Sequence, residues 1–318
     1  MTYQYKSILK DYMLAFEELR LNFGYSESTL YYLKMFDKFL VENKYTSSHI
    51  TKGIIDLWAV QKETENKNSR NHRVSSVKQF CLYLNALGVE AFVPNYHFSY
   101  EKPVPYVLTE EEIQKLFESI DNLFENVIHV RAKHYRFMVP ILIRLLYVTG
   151  LRNNEACSLR IDDLNADATL TIHNAKNKKD RIVYLSNDIY LLLKNYIKKR
   201  DKSIVSDWLF PSGNKNKHIL KTTIDSYFHR AVVDAHIGKT THYPTPHSLR
   251  HTYVVHLVDT WLNEEKNLND LMPYLSKQLG HTTTEETYYY YHMLCSSYEA
   301  IDIKKRNLFP EVISCEEE

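Results

Sequence analysis

Residues 279–292 read LGHTTTEETYYYYH, a glycine closing an apolar helical run, then a histidine and, seven residues on, four consecutive tyrosines, Tyr288 to Tyr291. Gly280 stops the helical pattern of 269–280, and the pattern resumes near 285–293, with a last helix expected near 296–307. Upstream of this stretch the same periodicity recurs near 110–121, 131–149, 187–200, 221–236 and 247–263. Only TLTIHN (169–174) and RIVYL (181–185) alternate as strands do; AKNKKD lies between them, which predicts a single hairpin with a lysine-rich tip.

The first hundred residues read as four amphipathic helices, near 5–23, 27–43, 50–62 and 68–87, with Ser26, Ser28 and Thr29 as a capping region and Gly88 as a stop. Residues 94–108 (PNYHFSYEKPVPYVL) hold three prolines and lead to Thr109 and Glu112, a capping-box spacing. The expected fold is therefore mainly α: a helical domain over 1–93, a linker over 94–108, a mixed α/β domain with a small β-hairpin over 109–310, and an acidic tail over 311–318.

Composition narrows the function. The chain has 318 residues, enough for two ordinary cores, and only 7 glycines, which disfavours Gly-rich phosphate loops. A net charge of +1 gives no global support for nucleic-acid binding, so any such case rests on local clusters. Cys81, Cys157, Cys295 and Cys315 are widely spaced, and the opening MTYQYKSILK lacks a signal-peptide core, so a reducing cytoplasm is expected. No apolar run is long enough to span a membrane. The first helix starts early enough that no additional N-terminal arm-binding domain is expected.

Four separated segments carry groups suited to a phosphodiester: TGLRNNE (149–155), AKNKKDR (175–181), HSLRH (247–251) and the opening stretch 279–292. Transesterification at phosphorus builds negative charge on the non-bridging oxygens, and guanidinium forks supply fixed donors there at any physiological pH. Each segment alone has a bland reading: an arginine after a helix is usually a solvated surface group, lysines at a turn a solvated tip, and a tyrosine-rich face packing. HSLRH also has the i, i+4 histidine spacing of a zinc pair, but it lacks the glutamate of HExxH, and Arg250 beside the pair opposes a dication. No metal and no cofactor are expected. Asp162, Asp163 and Asp167 sit in one polar loop and read as turn and cap residues.

Together, in order and spacing, the four segments resemble the tyrosine recombinase (phage integrase) family over about residues 109–305. The resemblance implies Arg152, His247, Arg250 and His281 as catalytic groups, Glu155 as the acid supporting Arg152, Lys176 as the hairpin lysine, and Tyr290, nine residues beyond His281, as nucleophile. Tyr291 is the alternative nucleophile, and Tyr289 is expected to be core. Lys176 is selected over Lys178 and Lys179 by its distance from Arg181. The family likeness further implies a SAM-like core-binding fold for the first domain, a 3′-phosphotyrosyl intermediate, metal and ATP independence, and a homotetramer on double-stranded DNA sites, with accessory recombinases as possible partners. It also points to a mobile element and to integration or transposition.

Local basic clusters suggest DNA contacts at Lys67, Arg70, Arg73, Lys178, Lys179, Lys215 and Lys217. Between Arg250 and His281 the chain is longer than compact family members, with the surplus in TWLNEEKNLND, as a longer helix or a loop. Two other readings share parts of this pattern: a type IB topoisomerase-like enzyme, which reseals the same strand, and a non-catalytic DNA-binding protein of the same fold.

Overall fold

The computed structural model describes residues 3–96, 98–100, 104–124, 130–173, 180–200, 206–213, 217–238, 243–281, 283 and 285–289, with 130–133 described in backbone only. Contacts divide the chain into Met1–Val104 and Pro105–Glu318.

In the first unit, α1 (Lys10–Asn22) is followed by a 3₁₀ turn (Glu27–Leu30) that runs into α2 (Tyr31–Glu42), then α3 (Lys52–Ala59) and α4 (Lys67–Ala86). Helix α1 begins later than the sequence suggests because Asp37 captures the preceding strap: its carboxylate accepts from the Tyr3 hydroxyl at 2.9 Å and from the Lys6 and Ser7 N–H groups at 3.0 and 2.9 Å. Asn66 caps α4, accepting from the Ser69 N–H at 2.7 Å, and Gly88 ends that helix at φ +78°. Phe36, Trp58, Val77 and Phe80 centre the core. Tyr96 and Phe98 also pack on it, so the proline-bearing stretch begins as packed chain rather than as a free linker.

The second unit carries α5 (Glu110–Asn122), α6 (Val130–Thr149), α7 (Asn153–Cys157), a 3₁₀ turn (Ile161–Asp163), β1 (Thr169–Ile172), β2 (Arg181–Tyr184), α8 (Asn187–Lys199), α9 (Lys221–Asp234), α10 (Pro246–Asn263) and α11 (Leu268–Leu279), with a helical turn at 285–289. The Thr109–Glu112 capping box starts α5, with the Thr109 N–H donating to the Glu112 carboxylate at 2.9 Å. Strands β1 and β2 pair antiparallel, Thr169 opposite Tyr184 and Ile172 opposite Arg181. Helix α10 packs on α6, α5 on α9 and α6, and α11 lies against β2. The Leu108 N–H donates to Thr252 Oγ1 at 2.9 Å, which ties the end of the proline stretch to α10.

The surplus TWLNEEKNLND lengthens α10 to Asn263 and opens α11, with a short turn at Glu265, φ +56°. Asp163 and Asp167 serve local turns: Asp163 accepts from the Arg160 N–H at 2.7 Å and Asp167 from the Thr169 hydroxyl at 2.7 Å. The expected helix near 296–307 and the acidic tail lie outside the described residues. No helix among the described residues is long and apolar enough to cross a membrane.

Candidate active site

The C-terminal end of α11 gathers the site. Gly280 takes the left-handed conformation (φ +66°), and the His281 N–H reaches back to the Ser276 carbonyl at 3.0 Å. The carbonyls left over at this helix end carry partial negative charge, which favours cations. Three guanidinium groups answer. Arg181 donates to the Gln278 carbonyl at 2.7 Å, Arg250 to that of Leu279 at 2.9 Å, and Arg152 to that of Gly280 at 3.2 Å.

Arg152 precedes α7, whose third residue, Glu155, folds back on it. The Glu155 carboxylate accepts from the Arg152 N–H at 3.0 Å and from its guanidinium at 3.0 Å. Burial alone would raise the Glu155 pKa, but hydrogen bonds and charge from Arg181, then from Arg152, outweigh it and hold the carboxyl below its ordinary range. The Arg152 side chain keeps 24% exposure, so its outer face remains open.

Arg250, in α10, is 2% exposed and also donates to the Gly150 carbonyl at 2.7 Å. Its guanidinium lies 2.9 Å from His281 Nε2. Arginine can only donate, so Nε2 accepts and the ring proton sits on Nδ1, which lies 2.7 Å from the Thr287 hydroxyl. His247, near the start of the same helix behind Pro246, lines a cleft of about 620 Å³ with Arg152, Asn153, Lys221, Asp225 and His229. Burial of its ring, then Arg250 and Arg152, lowers its pKa below that of ordinary imidazole. His251 stacks edge-on against it at 4.6 Å, and burial, His247 and Arg250 push its pKa down to about 4.

Arg152, Glu155, His247, Arg250 and His281, the groups that the family resemblance implies, thus lie together around the end of α11 and the adjoining cleft. Lys176, Lys178, Lys179, Lys215, Tyr290 and Tyr291 lie outside the described residues. Two expectations are corrected. Arg73 is not a surface cation: it is 1% exposed, with its guanidinium bonded to the carbonyls of Trp58 and Val60 and to Glu65 at 2.7 Å, so it organises the core of the first unit. Tyr289 is not core: it is 37% exposed, and it is Tyr288 that packs on α10 and α11 residues, its hydroxyl donating to Asn269 at 3.0 Å. Arg70 is half-buried, donating to the Ala59 carbonyl at 2.7 Å and lying over the Phe98 ring, while Lys67 and Lys217 are exposed.

Sequence reasoning missed Arg181 and Thr287. Arg181 had a legible signal: in β2 the alternation turns Arg181 and Val183 inward and Ile182 and Tyr184 outward, which puts a charge at a core position. Thr287, fully buried between exposed acids and a tyrosine run, carried none.

Residues 106–296 match the model of the phage integrase family. A tyrosine recombinase of Pseudothermotoga lettingae is 32% identical over 73% of this chain and 77% of its own length. Another, from Thermosipho africanus, is 28% identical over 77% of both chains. The Tn1549 transposon integrase, solved in complex with transposon right end DNA, shares the fold with a TM-score of 0.64 at 18% identity, over 92% of this chain and 98% of that one. The chain belongs to the phage integrase family, and it is a tyrosine recombinase, an enzyme that breaks and rejoins DNA strands at specific sites.

Proposed function

We propose that Tyr290 is the nucleophile of this recombinase. Its phenol oxygen attacks the scissile phosphorus, the bond to the 5′ oxygen breaks, and a 3′-phosphotyrosyl link forms. A 5′ hydroxyl from a partner strand then attacks that link and regenerates the tyrosine, so bond energy is conserved without ATP. Arg152 and Arg250 hold the non-bridging oxygens. His247, with its depressed pKa and its place on the cleft, takes the phenol proton, while His281, oriented by Thr287, supports Arg250 and the phosphate. Lys176 gives a proton to the departing 5′ oxygen.

The observation that carries this reading is the convergence of Arg152, Arg250 and His281, from three distant segments, on one helix end. Guanidinium donors supply the charge that a metal would otherwise bring, which supports activity in EDTA.

The domain roles follow the same reading: the helical unit through residue 93 grips DNA as a core-binding domain, 94–108 connects, and 109–310 is catalytic. Lys67, Lys178, Lys179, Lys215 and Lys217 serve phosphate contacts. Four protomers assemble around two duplexes, in the cytoplasm, on DNA sites of a mobile element.

The test is incubation with nicked suicide substrates drawn from the flanks of the gene, in EDTA, followed by denaturing electrophoresis. We expect a covalent protein–DNA adduct that Tyr290→Phe abolishes. An adduct that survives this change moves the nucleophile to Tyr291 or a neighbour. Supercoil relaxation without strand exchange would favour the topoisomerase-like reading, and tight specific binding without any adduct a non-catalytic one.

A further inference from the structure

Arg181 opens β2 at a core-facing position, with its side chain 6% exposed. A buried guanidinium is strongly unfavourable unless its donors are matched. Here each nitrogen has a partner: NH1 and NH2 grip the two Glu155 oxygens at 3.0 and 2.7 Å, and Nε donates to the Gln278 carbonyl at 2.7 Å. The fork is bidentate, the geometry that a lysine ammonium does not reproduce. Gly280 makes room for it, since a Cβ there would lie 2.9 Å from Arg181 NH1.

Glu155 is shared. Its Oε1 accepts from both Arg152 and Arg181 at 3.0 Å, and its Oε2 accepts from the Arg152 N–H at 3.0 Å and from Arg181 at 2.7 Å. The more exposed partner is Arg152, at 24%, and the more enclosed is Arg181. One carboxylate therefore meets two guanidiniums, and all three nitrogens of the enclosed one are engaged within the protein, by Glu155 and the Gln278 carbonyl.

We infer that Arg181 is a positioning residue for the strand-cleavage reaction: it neutralises Glu155, so that Arg152 is held in place by that carboxylate yet keeps its positive charge for the scissile phosphate. Without Arg181, the full negative charge of Glu155 falls on Arg152 and cancels the charge offered to the phosphate. Arg181 also fixes the base of the hairpin, since β2 starts at this residue and its side chain bolts that start to α7 and to the end of α11. The inference rests on Arg152 as a phosphate ligand.

The experiment compares wild type, Arg181→Gln, Arg181→Lys and the double variant Arg181→Gln/Glu155→Gln. Covalent adduct formation on a suicide half-site is followed under single-turnover conditions, DNA affinity by fluorescence anisotropy, and folding by thermal melting. Arg181→Gln should bind DNA within about threefold of wild type and form adduct on the order of 100-fold more slowly, the scale of losing one preorganised donor. Arg181→Lys should recover only part of this rate, because charge returns without the fork. The double variant should react roughly tenfold faster than Arg181→Gln, since the uncompensated carboxylate is gone. A purely structural role has rate and melting temperature recover together, whereas the inference has the rate per folded molecule recover.

A rate for Arg181→Gln within about threefold of wild type, or a double variant no faster than the single one, overturns the inference. If Arg181→Gln does not fold, Arg181→Lys decides: a wild-type cleavage rate there overturns it. The arginine Nε–H resonances of ¹⁵N-labelled protein give an answer independent of DNA cleavage. The Arg152 signal, assigned with Arg152→Lys, should shift in Arg181→Lys, and an unmoved signal overturns the inference whether or not the wild type cleaves. Absence of adduct from the wild type, with the Arg152 signal shifted, instead counts against the phosphotyrosyl reading.

Discussion

Arg250 donates a hydrogen bond to the carbonyl of Gly150 at 2.7 Å across one hundred residues of chain, joining the HSLRH helix to the TGLRNNE turn. The glycine is required by geometry. It has φ +63°, and a Cβ built there would lie 2.6 Å from the Tyr253 ring and 3.1 Å from Leu279. Gly150→Ala combines left-handed strain with overpacking and should destabilise the second unit by about 2 to 4 kcal/mol. Chemical denaturation of the full chain measures this, and adduct formation should fall in the folded fraction because the Arg250 anchor moves.

The buried hydroxyl of Thr287 orients His281 through its 2.7 Å contact with Nδ1. Thr287→Val keeps the shape and removes that partner. Cleavage should slow by about tenfold or more, as for other residues that orient a functional imidazole, with DNA affinity little changed. Thr287→Ser should restore most of the rate.

His251 has a pKa near 4, below its ordinary value, because of burial, His247 and Arg250. As pH falls, the unfolded chain takes up this proton first, so stability present above about pH 6.5 is lost progressively down to about pH 4. Melting curves of wild type and His251→Gln should therefore diverge between about pH 6.5 and 4.5, before most carboxylates titrate, with the wild type losing roughly 5 °C more. Parallel curves would show that this imidazole is protonated normally in the native state.

Arg73 and Lys67 lie on one helix but have different surroundings. Arg73→Ala leaves Glu65 without its cation and two carbonyls without their donor, and should cost the first unit about 3 to 5 kcal/mol in urea unfolding followed by Trp58 fluorescence. Lys67→Ala should weaken DNA binding across sequences and reduce the slope of log affinity against log salt by about 1.

Features encoded by neighbours in sequence were legible. The Thr109–Glu112 capping box, the glycine stop at Gly280 and the alternating strands flanking the hairpin all form from residues close along the chain. Arg152, His247, Arg250 and His281 were singled out only through the family resemblance of their joint pattern, since no single histidine or arginine announces its partners. Helix α7 escaped because five residues are too few to show a period. Arg181 was overlooked because its acceptors lie 26 and 97 residues away, a relation that exists only after folding. Arg73 was misassigned for the same reason: a charge near a helix start looks solvated until the carbonyls of another helix close around it. Among the tyrosines, helical phase rather than residue type decides which one packs, and the inward positions of the 285–289 turn fall on Thr287 and Tyr288.

The near-complete enclosure of Arg250 has a further consequence for how the protein divides its free energy. A guanidinium that loses its hydration when the chain folds need not shed that water at each encounter with DNA, so the reorganisation that would slow the chemistry is moved into a lower native stability. Replacing Arg250 and its polar surroundings with apolar side chains of similar volume would then yield a protein that melts at a higher temperature and, on the proposal that Arg250 holds the scissile phosphate, no longer cleaves DNA. In this corner of the fold, thermal robustness and readiness for reaction are opposing quantities set by the same side chain.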